Sequence, residues 1–469
     1  MSGDRLGIAA AIALIAIVRL LPVLSGDGFP AGDGGLFAVM ATELRDAFPW
    51  FPFRTSYNDA AIPFSYPPLG PIVLAAVPGS PIGTEILLVA AVSLGSVVAF
   101  YLAARTVLSN PASALVATFV FGLLPNAWLS LGGDSVRGVF LLLLLLAVWR
   151  TWHLVANPTL PGLLLVGLIC GLALLSHPIA WTVLPVSLGV VWAAHPSRRG
   201  VLGLLGAAGV AALVVGPWLV LVVSRHGADP FLSAAVSHGT APLALRALRF
   251  GLSGFNGPDV VGAFAILGLM LASHRGPRFV PLWFAALLIT PGAELRTLAA
   301  PVALAIGILI SELVAKAPPM GRVIPAVAAV GSAAALGFAA LTTFATSSDY
   351  GVVSPEDRAA AEWMRRSLDP ASRVAIISAD SNTSVEEWLP ALSSLHSVGT
   401  YQGSEWLPSA EWERRLEANR QLRGCRSRQC IPEEATVLFV SSDVDTAIAG
   451  LAAPDYAAGA RVFRLRSTD

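Results

Sequence analysis

The feature that most constrains this chain is a succession of apolar runs, each close to the length that crosses a bilayer. A helix needs about 20 mostly apolar residues to span the hydrocarbon, within a range of roughly 17–25. Runs of this kind cover 6–24, 83–104, 111–130, 137–155, 161–177, 178–195, 200–224, 298–315 and 322–344, and two shorter ones cover 260–273 and 279–292. Together they predict about eleven spans. Composition agrees: 55% of the 469 residues are hydrophobic and 13% are charged, against roughly 25% charged in an ordinary soluble domain. The formal net charge is zero, and no nucleic-acid partner is expected.

Orientation follows from the basic residues in short loops, which collect on the cytoplasmic side. With a cytoplasmic N-terminus, Arg105, Arg198 and Arg199, Arg275 and Arg278, and Lys316 and Arg322 all fall on inner loops. Counting both short runs as spans keeps that phase to the end, whereas dropping only one would put the later basic loops outside. The N-terminus lacks a small-residue cleavage site, so the first span is expected to stay uncleaved. Loop 25–82, the turn 132–137, the segment 225–258, residues 294–296 and everything after about 345 then face outward. The expectation is a multi-pass plasma-membrane protein with a transmembrane domain over 1–344 and a small extracytoplasmic α/β domain over 345–469.

In the second domain, "RVAIISAD", "ATVLFVSSD" and "RVFRLRS" have strand length and pattern, and "SPEDRAAAEWMRRSL" is a helix capped by Ser354. In an oxidising compartment Cys425 and Cys430 are expected to form a local disulfide. Zinc is the weaker reading of that pair, because no second Cys/His pair of matching spacing is present.

The first loop contains "GDGGLFAVMATELRD" at 32–46. Leu36, Phe37, Val39, Met40 and Leu44 share one side of a helix, with Thr42, Glu43, Arg45 and Asp46 on the other. That pattern predicts an interfacial helix lying along the membrane surface. Asp33 precedes its first turn, either as an N-cap or as a carboxylate held at the surface to serve as a general base. Further on, Asp59 supplies a second acid. Pro67, Pro68 and Pro71 then hold Tyr66–Leu69 in a rigid turn that re-enters the bilayer surface, making Tyr66 a candidate substrate contact.

Other candidates lie at expected outer ends of spans. In "GGDSVR", Asp134 is a possible acid and Arg137 either binds phosphate or snorkels toward headgroups. Arg296, with Glu294 nearby, has the same two readings. His177 in "LLSHPIAW" and Arg225 with His226 in "SRHGADPF" are either substrate contacts or ordinary interface residues. Trp388 and Trp406, beside Glu387 and Glu405, suit either a sugar face or a core with a hydrogen-bonded rim.

An acid after the first span, an amphipathic helix, "YPPLGP", an outer "GG-x-x-x-R" turn and an outer soluble tail resemble the GT-C glycosyltransferases, most closely the protein-mannosyltransferase-like branch. The resemblance covers most of the membrane region. It implies a sugar donor linked to polyprenyl phosphate, an extracytoplasmic acceptor (protein, lipid or polysaccharide) and surrounding membrane lipids as partners. It also implies inverting transfer with Asp33 as general base. The adjacent second acid of the family is replaced by Gly34, leaving Asp59 or Asp134 for that role. No cofactor or divalent metal is expected beyond the lipid-linked sugar itself. The competing expectations are a transporter or lipid-linked sugar flippase, and a passive anchor. Coupled transporters carry ionisable groups near the bilayer midplane, where Glu85, Arg150 and Glu312 do not fall. An anchor needs only one span.

Overall fold

The computed structural model describes residues 12–20, 34–59, 61–108, 110–124, 135–237, 260–293, 295–316, 353–379, 383–445 and 447–465. Sixteen helices run through them. They are α1 (12–20), α2 (Gly34–Ala47), α3 (Leu69–Ala76), α4 (Pro81–Val107), α5 (Pro111–Leu123), α6 (Ser135–Ala156), α7 (Leu160–Leu174), α8 (Ala180–Ala194), α9 (Arg198–His226), α10 (Asp229–Ser237), α11 (Val260–Arg275), α12 (Phe279–Ile289), α13 (Leu295–Lys316), α14 (Pro355–Ser367), α15 (Thr383–Ser393) and α16 (Ser409–Arg423). Helices occupy every predicted span except 322–344, which lies outside the described residues. Among the described residues α4, α6, α9 and α13 are long and apolar enough to cross a membrane, while α5, α7, α8 and α12 are shorter apolar helices.

The bundle packs α4 on α5 and α6, α7 on α6 and α9, α8 on α6 and α12, and α13 on α5 and α11. Hydrocarbon gives no hydrophobic drive between helices, so close approach of small residues does the work. On α7, a Cβ at Gly167 would stand 2.5 Å from Val210 Cβ of α9, and one at Gly171 would stand 2.6 Å from Val214 Cβ.

A cationic side chain is buried inside this bundle. Arg19 of α1 is 3% exposed, and its guanidinium donates to the carbonyls of Ser93 (2.9 Å), Gly122 (2.9 Å) and Phe121 (3.2 Å) and to Ser93 Oγ (3.1 Å). Residue 125 is proline and has no N–H for the Phe121 carbonyl; Arg19 supplies that donor at the last turn of α5. The spans are therefore less free of interior charge than the apolar runs suggest. This charge is saturated by backbone acceptors, as a structural clamp would be.

Residues 353–465 build a five-stranded sheet from β3 (Arg373–Ile377), β4 (His396–Val398), β5 (Val437–Val440), β6 (Tyr456–Ala458) and β7 (Ala460–Arg464), after a two-strand ribbon, β1 (Arg54–Thr55) and β2 (Ile62–Pro63), in the first loop. The order is β4-β3-β5-β7-β6, with β4, β3 and β5 parallel and β7 and β6 antiparallel to their neighbours. Along β3 and β5, Val374, Ile376, Val437 and Phe439 meet α14 and α15, while Ala375, Ile377, Leu438 and Val440 meet Leu422, Cys425 and Ile431. Both faces are covered, so the central strands read as unbroken apolar runs. Ser354 closes a capping box with Asp357 at the start of α14, and Cys425 and Cys430 are joined by a disulfide.

Helix α2 corrects one expectation. Its apolar face does not lie open to lipid: Leu36, Phe37, Met40, Ala41 and Leu44 are buried against Tyr57, Phe64, Tyr66, Leu74 and Trp406. Its other side is engaged as well. The Arg45 guanidinium caps the end of α3, donating to the carbonyls of Leu74, Ala75, Val77 and Gly79. Protein covers the apolar face of this helix, while Thr42, Arg45 and Asp46 on the other side remain exposed.

Candidate active site

The predicted residues that come together are Tyr66, Arg137 and His177. Arg137 stands in the first turn of α6, where the leading N–H groups lack helical acceptors and the dipole favours an anion. That turn is anchored by Glu85 of α4, whose fully buried carboxylate accepts from Ser135 N at 3.2 Å. Sequence reading placed Glu85 only near a span end, and nothing local marked its partner on another helix.

His177 follows α7 in a tight turn closed by Ser176 Oγ on the Ala173 carbonyl, 2.6 Å away. Its Nε2 lies 3.3 Å from Arg137 Nε, and the Ile179 N–H meets its Nδ1 at 3.1 Å. The Arg137 Nε–H is the donor of the first contact, so the ring ties the guanidinium to the opening turn of α6.

Tyr66 covers this pair. Its ring packs edge-on to His177 (6.0 Å between centroids), to Trp406 (5.7 Å) and against Phe37 of α2 (4.9 Å). The prolines before α3 deny helix donors, and the first amide after them, Leu69 N, donates to the Leu175 carbonyl at 2.8 Å. The rigid turn is thereby tied to the end of α7 next to His177. Trp388 is a core residue of α15 and Trp406 packs in the core beside Tyr66.

The C-terminal domain grips residues 56–59 of the loop. Tyr57 Oη donates to the Glu387 carbonyl (2.6 Å) and to its carboxylate (3.0 Å), Asn58 Nδ2 donates to the Gln402 carbonyl (2.7 Å), and His396 Nδ1 is 2.9 Å from the Ser56 carbonyl. Asp59, in a left-handed conformation (φ 53°), pairs with Arg373 at 2.9 Å. Its carboxylate is thus a latch to β3. Arg225 and His226 also serve the loop: Arg225 Nη1 donates to the carbonyls of Phe51 (2.9 Å) and Pro52 (3.3 Å), and the His226 ring lies 4.4 Å from that of Phe53.

Asp33 and Asp134 lie outside the described residues. They immediately precede Gly34 and Ser135, the first residues of α2 and α6. Arg296 is in the first turn of α13, its side chain outside the described set, as is Glu294.

No family model matches this sequence, and no curated protein matches it. Solved structures do. An oligosaccharyltransferase of Archaeoglobus fulgidus in the apo form superposes with a TM-score of 0.63 at 14% identity, covering 93% of this chain and 69% of its own. ArnT from Cupriavidus metallidurans bound to undecaprenyl phosphate gives 0.60 at 15%, covering 96% and 97%. The mycobacterial arabinofuranosyltransferase AftD gives 0.55 at 16%, covering 99% of this chain and 40% of its own.

Proposed function

We propose that this multi-pass membrane protein, whose fold is that of the GT-C glycosyltransferases, moves a sugar from a polyprenyl-phosphate donor to an acceptor on the side of the C-terminal domain. The observation that carries the reading is the Arg137 guanidinium, set in the first turn of α6 and held there by its 3.3 Å hydrogen bond to His177 Nε2. Two of the similar structures hold lipids of the matching class, undecaprenyl phosphate and dolichol-phosphate, which supports a phosphate headgroup as the ligand of this turn.

In this reading the acceptor oxygen attacks the anomeric carbon while its proton passes to the Asp33 carboxylate. The bond from that carbon to the phosphate oxygen breaks with its electron pair, inverting the centre and leaving polyprenyl phosphate. Charge grows on the departing phosphate, where the Arg137 guanidinium, positioned by His177, and the opening amides of α6 stabilise it. The step as written calls for no divalent ion. The site and the C-terminal domain face out of the cell, and the acceptor is extracytoplasmic.

The test uses purified protein in nanodiscs with a panel of polyprenyl-phosphate sugars and membrane extract as acceptor source, following polyprenyl-phosphate release. Wild type turns over one donor. Arg137→Ala loses roughly 10²–10³-fold in rate, as removal of one transition-state donor does. Arg137→Lys recovers only part, because a point charge cannot reproduce the planar fork, and Asp33→Asn is inactive. Turnover by folded Arg137→Ala at the wild-type rate would sink the phosphate site. Lipid flipping without release by wild type would favour a flippase.

A further inference from the structure

Between α2 and β1 the chain reads "FPWFPF", and its aromatic residues divide into two sets. Phe51 turns inward, its ring edge-on to Phe64 at 6.3 Å. Phe48, Trp50 and Phe53 turn outward and are 82%, 75% and 49% exposed. Three large rings standing off one short loop are out of place in water, where exposed apolar clusters mark an interaction surface.

The loop's attachment says what the surface meets. Arg225 Nη1 holds the carbonyls of Phe51 and Pro52, and Phe53 packs on the ring of His226. Arg225 and His226 are the last residues of α9, a helix long and apolar enough to span. Leu213, Val220 and Val223 on the same helix are exposed, as lipid-facing residues of a span are. The outward rings therefore extend the lipid-facing surface of α9 past its final turn, to the level where a span leaves the hydrocarbon. Arg54 stands alongside with its guanidinium 5.6 Å over the Phe53 ring, a cation at the height of headgroup phosphates. Aromatic rings with an adjacent basic group are the side chains that settle at a membrane interface.

We infer that Phe48, Trp50 and Phe53 form a ledge inserted into the headgroup–acyl boundary of the bilayer, fixing loop 48–66 at a set depth beside the end of α9. Lipid, not a protein partner, is its occupant. The inference rests on the membrane-spanning bundle and is independent of sugar transfer.

Trp50→Cys carries the test, because the chain's three cysteines leave no competing surface thiol: Cys170 is buried and Cys425 is bonded to Cys430. The variant is labelled with an environment-sensitive fluorophore and placed in nanodiscs of phosphatidylcholine and phosphatidylglycerol. A second label at Phe48→Cys guards against a local fault, and Arg414→Cys, on an exposed side chain of α16, is the aqueous control. Doxyl groups near the top of the acyl chain should quench the probes at 48 and 50 and leave the control untouched, while iodide should quench the control several-fold more than either. Iodide quenching at 48 and 50 equal to the control overturns the inference. So does a probe that neither quencher reaches, since protein would then cover the ledge.

Discussion

Gly35→Ala sets local propensity directly against packing. Alanine in place of glycine favours a helix by up to about 1 kcal/mol, so α2 considered alone gains. In the fold, the new Cβ would lie 1.8 Å from the Glu387 carbonyl oxygen, 2.5 Å from its carbon and 2.8 Å from Trp388 Cα. All three are backbone atoms of α15 and cannot rotate aside. Restoring an ordinary 3.4 Å contact from 1.8 Å moves the two backbones apart by about 1.6 Å. Overpacking of this kind costs about 1–3 kcal/mol, which exceeds the propensity gain. The same shift displaces the start of α2, next to Asp33, relative to Tyr66, and misplacement by 1 Å can cost about 10²-fold in rate. The expected result is a lowered unfolding temperature in nanodiscs together with a loss of polyprenyl-phosphate release. Gly209→Ala on α9, where an added Cβ meets nothing within 4 Å, should be neutral or slightly stabilising. If Gly35→Ala unfolds and turns over as wild type, the close seating of α2 on α15 is refuted.

Three further outcomes follow from the same contacts. Arg19→Met leaves the Phe121 and Gly122 carbonyls without their donor, and an unsatisfied buried acceptor costs about 1–3 kcal/mol; thermal unfolding in detergent should show the loss, and an unchanged transition would refute the clamp. Asp59→Asn breaks a half-exposed pair with Arg373 worth about 0–1 kcal/mol, so turnover should stay within a few-fold of wild type, and inactivity would mark Asp59 as an acid of the reaction. Burial holds the Glu43 carboxyl above its ordinary value, against the N–H and hydroxyl of Ser56, which pull it down. A raised value means that the folded state holds the proton more tightly. The stability involved is complete below the unfolded value, near 4.5, and is lost as pH rises through the folded value. Glu43→Gln should abolish that decline in a pH series of unfolding temperatures.

Among the described residues, the long apolar helices α4, α6, α9 and α13 were legible because bilayer thickness sets a length that an apolar run either meets or misses. The strands of the C-terminal sheet were legible for a related reason, since "RVAII" and "VLFV" are unbroken apolar runs bounded by polar turns. What the chain pattern could not show was which group each polar side chain meets. Arg45 belongs to the polar face of α2 by periodicity, yet that face meets the open carbonyls of α3 and Arg45 becomes its cap. Asp59 and Arg373 are far apart in sequence, and neither has a local pattern announcing the other. Arg19 was hidden inside its own apolar run, where one charge barely alters the average and its acceptors come from two other helices. Arg137 and His177 were each visible as span-end residues, but their 3.3 Å meeting depends on how α6 and α7 pack.

The architecture also bears on why so long a first loop is kept in shape. The bundle supplies Arg137 and His177 at the ends of packed helices, which hold position well. The acid proposed as base immediately precedes α2 in sequence, and a reacting constellation must be held within about 0.5 Å of its working geometry. A loop alone does not meet that tolerance. Here the loop is pinned from two directions: the bundle end holds it through Arg225 and the Leu69–Leu175 bond, and the C-terminal domain holds it through Tyr57–Glu387, Asn58–Gln402 and Asp59–Arg373. Tyr66 sits where those restraints meet, between His177 of the bundle and Trp406 of the domain. On this argument the C-terminal domain acts on the chemistry through position, so loosening Tyr57 should degrade turnover even though neither Tyr57 nor Glu387 touches the donor phosphate.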